Sequence, residues 1–290
     1  MTRFWWLGIG LGIIAIVTFT LILPANGPAS PTHSGELKAA IVDQLYSFQP
    51  NESFTEQVTQ ELKAYGFQVD VYRDDAVTVD LYRQLSSYGY KLIIFRVHSG
   101  LLRGSKDVAN KVWLFTNEPY SRMRHFTEQL TGKVALATTE AGKQCVFAVN
   151  AKFIERSMSG RFDKTAVIMM GCSGFRFDDM AQAFIQEGAS TYLGWDASVG
   201  LSYVDGATTV LMEKLCRQEL VITNAVTETM QERGSDPDTR AILRYYPASS
   251  ANKTLRQLID ELPCTNLFYV KPLPLPIFGR YYFQRDIFDS

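Results

Sequence analysis

Two side chains in this sequence combine into chemistry that neither performs alone: the imidazole of His98 and the thiol of Cys172. A free thiol is mostly protonated at neutral pH, whereas the thiolate is the attacking species. An imidazole within reach takes that proton and later gives one to a leaving amine. Both residues stand at the ends of apolar runs and among glycines. KLIIFRV leads into His98-Ser99-Gly100, and TAVIMM leads into Gly171-Cys172-Ser173-Gly174. Glycines beside a nucleophile permit a sharp turn and close approach of a substrate. The backbone N–H groups of Ser99, Gly100 and Cys172 are the candidate oxyanion donors. Removing one such donor typically costs about 2.7–4 kcal/mol of transition-state stabilisation, so the turns matter as much as the side chains.

The remaining reactive residues carry less. His125, in Arg122-Met123-Arg124-His125, reads as a solvated helix residue, and His33 falls in a linker. Cys145, Cys216 and Cys264 read as small buried apolar residues; their spacing shows no disulfide signature, and a bridge among them stays open. No paired-cysteine or His-x-x-x-His spacing is present, so no metal site and no cofactor is expected. The net charge is −1 with scattered charges, which gives no electrostatic footprint for nucleic acid.

For the two turns to meet, the runs before them must be neighbouring strands. Lys91 to Val97 and Thr165 to Met170 are almost continuously apolar, as strands inside a parallel sheet covered on both faces must be. Around them strands and helices alternate. Strands are expected at Leu37–Leu45, Phe67–Tyr72 and Ser190–Trp195, and helices at Asn51–Tyr65, Asp80–Tyr88, Asp178–Glu187, Leu201–Cys216 and Leu220–Arg233. That rhythm predicts an α/β fold with an open, mainly parallel sheet flanked by helices. Ligand sites in such sheets form at the carboxyl ends of the strands, which is where both turns lie. Between them, Val112–Thr116, Val134–Thr139 and Gln144–Val149 predict an inserted β-hairpin region, and Asn117-Glu118-Pro119 reads as a turn. Short strands are expected near Ile242–Tyr245 and Leu267–Val270.

The chain of 290 residues, 46% hydrophobic, divides at its N-terminus. Phe4 to Leu23 has no charge and is long enough, at roughly 20 residues, to cross a bilayer as a helix. Trp5 and Trp6 suit the headgroup region, and Arg3 favours an inside N-terminus, which sets the rest outside the cytoplasm. A cleaved signal peptide is the rival reading. The expected organisation is a transmembrane signal-anchor at 1–23, a linker at 24–36, one α/β domain at 37–235 and a C-terminal extension at 236–290 packed on it.

A strand ending in His-(Ser/Gly)-Gly, followed later by a strand ending in Gly/Ala-Cys-x-Gly, resembles the caspase, legumain, clostripain and gingipain clan of cysteine peptidases. The segment Phe184 to Gly200 is similar to the helix and strand that border that clan's specificity pocket. The resemblance implies a caspase-like fold and a catalytic dyad of His98 and Cys172. It also implies a peptide or protein substrate and, through Trp195 and Asp196, a pocket suited to a basic P1 side chain. Asp178, Asp179 and Asp205 are the alternative acids. Two other functions fit the same residues: a catalytically silent binding or scaffolding module, and an acyl transferase in which an amine resolves the thioester.

Overall fold

The computed structural model describes residues 37–101, 111–138 and 144–260. The apolar segment 4–23, the linker expected at 24–36, residues 139–143 between two of the strands expected in the inserted region, Cys264 and the strand expected at 267–270 lie outside the described residues. Among the described residues no helix is long and apolar enough to cross a membrane.

The main sheet takes its strands from both ends of the described chain. They are β1 (Lys38–Asp43), β2 (Gln68–Arg73), β3 (Leu92–Arg96), β8 (Thr165–Met169), β9 (Ala189–Trp195) and β10 (Leu243–Tyr246), in the order β10-β9-β8-β3-β1-β2. All pairings are parallel except that of the edge strand β10 with β9. Strands β4 (Ser99–Leu101), β5 (Val112–Pro119), β6 (Val134–Ala137) and β7 (Val146–Asn150) form a separate antiparallel sheet in the order β4-β5-β7-β6. The mainly parallel α/β architecture with an inserted antiparallel region is the one expected. Asn117-Glu118-Pro119, expected as a turn, instead finishes β5.

The helices are α1 (Glu52–Tyr65), α2 (Val79–Gln84), α3 (Phe126–Leu130), α4 (Ala151–Ser157), α5 (Asp179–Gln186), α6 (Leu201–Met212, continued by a π-helical turn), α7 (Ile222–Arg233) and α8 (Leu255–Asp260). Helix α1 shows how local sequence sets these limits. The Asn51 side chain accepts from the Phe54 N–H at its start, and Gly66 ends it with φ of 111°, a left-handed conformation that costs glycine little. Its buried Phe54, Val58, Leu62 and Tyr65 form one stripe toward the sheet.

Strand alternation divides the interior into two layers. Ala39, Ile41, Leu92, Ile94, Ala166, Ile168 and Met170 face one side, where α1, α6, α7 and α8 contribute their apolar faces. Ala40, Val42, Ile93, Phe95, Val97, Val167 and Met169 face the other, with residues of α2, α4, α5 and the second sheet. Strands β3 and β8 are buried along their whole length between these layers. Each buried Leu or Ile contributes roughly 1.5–3 kcal/mol, so these two strands give the turns a well-packed base.

Candidate functional site

The neighbouring positions of β3 and β8 decide where the two turns go. Leu92 faces Ala166 and Phe95 faces Met169 in parallel register, and the Met170 N–H donates to the Phe95 carbonyl at 2.9 Å. The pairing ends at Phe95 and Met169, and the segments that follow, with His98 three residues on from Phe95 and Cys172 three residues on from Met169, leave the same end of adjacent strands. The turns also touch. Ser99 Oγ donates to the Cys172 carbonyl at 2.6 Å. A Cβ built on Gly171 would sit 2.2 Å from Ser99 Oγ and 2.8 Å from the Val97 carbonyl oxygen, so only glycine fits between the two chains here.

Each residue is held from its outer side. The His98 N–H donates to Gln44 Oε1 at 2.8 Å, and Gln44 Nε2 donates to Asn117 Oδ1 at 2.7 Å. Asn117 Nδ2 in turn donates to the Gln44 carbonyl at 2.9 Å, which closes an amide pair between the residue that follows β1 and β5. The imidazole meets the ring of Phe48 edge-on at 5.3 Å and lies 6.1 Å from that of Phe115. Cys172 is half-buried, and its sulfur is 3.5 Å from both the N–H and the carbonyl oxygen of Val199. The next residue, Ser173, takes a left-handed φ of 56° and donates its N–H to the Ala197 carbonyl. The loop around Val199 is anchored by Asp236, which accepts from the Gly200 N–H at 2.8 Å.

The candidate oxyanion donors differ in direction. The Phe115 N–H donates to the His98 carbonyl at 3.0 Å, and Gly100 stands opposite Trp113. In an antiparallel ladder alternate residues point their N–H groups across it. The Gly100 N–H therefore faces β5, while that of Ser99 points to the open edge of β4.

Of the two residues expected at a pocket, Trp195 lies in the core, and Asp196 is half-buried between Trp195 and Ala197, whose carbonyls accept from the Phe175 and Ser173 N–H groups after Cys172. Trp195 is 1% exposed and packs edge-on against Tyr203 in the core, so it offers no surface to a ligand. Asp196 Oδ1 accepts from the Ile242 N–H at 3.0 Å, joining β9 to the segment that enters β10. Of the alternative acids, Asp205 is buried in an ion cluster. Arg96, two residues before His98, pairs with it through Nε at 2.8 Å and Nη2 at 2.9 Å, and with Asp43 through Nη1 at 2.8 Å. Arg96 and Asp43 are both 0% exposed. Burial raises the Asp43 carboxyl above its ordinary range, against the pull of the Arg96 guanidinium. Asp179 lies at the start of α5, and burial raises its carboxyl too.

His125 is not the solvated helix residue its neighbours suggested. Its ring is mostly buried, with Nε2 2.8 Å from Glu118 Oε1, and the other Glu118 oxygen accepts from the Val79 N–H at the start of α2. Cys145, Cys172 and Cys216 carry free thiols. Beside His98 opens a cleft of about 250 Å³, whose lining includes Gln44, Phe48, Asp75, Asn117 and Val146. These residues come from separate segments, and sequence reasoning singled out none of them as site residues.

No protein-family model and no curated protein matches this chain. Among solved structures it is similar to the Arg-specific cysteine proteinase gingipain R, at 11% identity and a TM-score of 0.46 over 77% of this chain and 48% of that one. It is also similar to the Drosophila initiator caspase Dronc, at 11% identity and a TM-score of 0.41 over 86% of this chain and 95% of that one. The chain thus spans about half the length of gingipain R.

Proposed function

We propose that this chain is a cysteine endopeptidase in which Cys172 is the nucleophile and His98 the general acid and base. The observation that carries the proposal is the β3–β8 register, which brings the His98 and Cys172 turns together, with the Ser99–Cys172 hydrogen bond between them. In the reaction His98 takes the thiol proton and the sulfur attacks the peptide carbonyl carbon. The C–N bond then breaks as His98 gives its proton to the departing nitrogen, and water hydrolyses the remaining thioester. The N–H groups of Ser99 and Cys172 are the donors assigned to the developing oxyanion. Ser99 is preferred to Gly100 because its N–H is not directed into the ladder with β5. The proposal includes an N-terminal membrane anchor at 4–23, with the catalytic domain outside the cytoplasm.

A proteome-derived peptide library tests this. The full chain should generate new N-termini at a defined sequence, and Cys172→Ala and His98→Ala should each abolish them. Cleavage that persists in Cys172→Ala would overturn the assignment. The close approach of both Val199 backbone groups to the sulfur favours a second reading, a silent caspase-like module whose thiol is held by its own loop. An intact chain that cuts no peptide would select it.

A further inference from the structure

The cleft beside His98 has a definite position relative to the proposed nucleophile. Cys172 follows β8, on one side of β3 in the sheet, whereas Gln44 follows β1, on the other. Among the described residues the cleft is lined from the β1 side and the second sheet, and not by the Cys172 turn or the loop at Val199. An imidazole that protonates a departing amine must have the nucleophile on one side and the amine on the other. The cleft therefore lies on the leaving-group side.

Its chemistry is narrower than its lining suggests. The Gln44 and Asn117 amides are committed to each other and to the His98 N–H. Phe48 is half exposed at the mouth, with one edge toward His98. The Asp75 carboxylate is exposed, and among the described residues no ion pair or hydrogen bond engages it. Ser47 and Gln144 add neutral polar side chains to the lining, and beside them the cleft offers one aromatic surface and one carboxylate charge. A long basic side chain satisfies both, with its alkyl stem along the ring and its cation at the carboxylate.

We infer that this cleft receives a lysine or arginine at P1′, the residue whose amine departs, with Asp75 and Phe48 as its specificity determinants. The inference rests on the peptidase reading of His98 and Cys172. It differs from the P1 preference expected through Asp196, because it concerns the opposite side of the bond that is cut.

The experiment uses the full-length chain and internally quenched peptides that share one cleaved sequence and differ only at P1′: Lys, Arg, Ala or Glu. The expected kcat/KM is about tenfold or more higher for Lys and Arg than for Glu. Asp75→Asn should bring that ratio close to one, and Asp75→Lys should invert it toward Glu. Glu56→Gln, an exposed change on α1, should leave the ratio as it is. Intact mass and far-UV circular dichroism verify that each variant is folded. Cleavage with a flat P1′ profile, or a preference that Asp75→Lys does not move, would overturn this inference and leave the peptidase standing. Absence of cleavage with every peptide would overturn both.

Discussion

Replacing Gly171 by alanine probes the meeting of the two turns without touching His98 or Cys172. The new methyl group would have to occupy a point 2.2 Å from Ser99 Oγ, 2.9 Å from Ser99 Cβ and 2.8 Å from the Val97 carbonyl oxygen, all far inside ordinary contact distance. Overpacking of this kind costs roughly 1–3 kcal/mol, and displacing Ser99 from the Cys172 carbonyl loses a hydrogen bond worth about 0.5–1.5 kcal/mol more. Gly171→Ala is therefore expected to destabilise the fold by about 2–4 kcal/mol. Ser99→Ala removes the 2.2 Å contact but keeps the Cβ and the Val97 carbonyl, so it can relieve only part of the strain. The double variant should accordingly be less damaged than the two singles added together, by about 1 kcal/mol. Guanidinium unfolding followed by tryptophan fluorescence reads both quantities, with midpoints compared at a common slope. A Gly171→Ala chain within about 0.5 kcal/mol of the parent, or strict additivity with Ser99→Ala, would refute the claim that the turns are pressed together.

Further consequences follow from the groups around the turns. Arg96→Met leaves Asp43 and Asp205 buried without their cation and should lower unfolding stability by about 3–5 kcal/mol; adding Asp43→Asn and Asp205→Asn should recover most of it. A loss below 1 kcal/mol in a chemical denaturation series would show that the cluster is not buried as described. At Asp236 burial pushes the carboxyl up, but the N–H groups of Gly200, Thr239 and Asp238 outweigh it and hold the group below its ordinary range. A depressed carboxyl contributes stability that is fully present above its unfolded value near pH 3.9 and is lost as pH falls through the folded value. Thermal melts from pH 7 to 2.5 should therefore fall more steeply for the parent than for Asp236→Asn below about pH 4, and parallel curves would contradict this.

The strands that carry the site were legible because burial on both faces demands unbroken apolar runs, and KLIIFRV and TAVIMM supply them. The limits of α1 were legible from Asn51 and Gly66, which act through local backbone geometry. The features that escaped depend on contacts between distant segments. Glu118 in Asn-Glu-Pro carries no local sign that its carboxylate caps α2 and binds His125. Helices α3 and α4 are only 5 and 7 residues long, too short to display a periodic stripe. The cleft at His98 gathers Gln44, Phe48, Asp75 and Asn117 from three stretches of chain, and nothing in their spacing relates them. Two further features have a local sign in the sequence. Trp195 stands two residues after the buried Leu193, on the same strand face, which assigns it to the core rather than to a pocket. Arg96 and Asp43 end strands whose other buried residues are apolar, where a charge has to find a partner.

The measurement that bears most directly on the chemistry compares the cysteines of one chain. The folded protein is treated briefly with iodoacetamide at pH 7, and each thiol is quantified by peptide mapping. Burial, with Glu61 and Glu219 nearby, pushes the Cys216 thiol up to about 12, so Cys216 should stay unmodified. Cys172 should react roughly tenfold or more faster than Cys145, and His98→Ala should erase that lead. If Cys172 reacts no faster than Cys145, or reacts equally fast without the imidazole, the sulfur is not activated by His98 and the peptidase proposal fails.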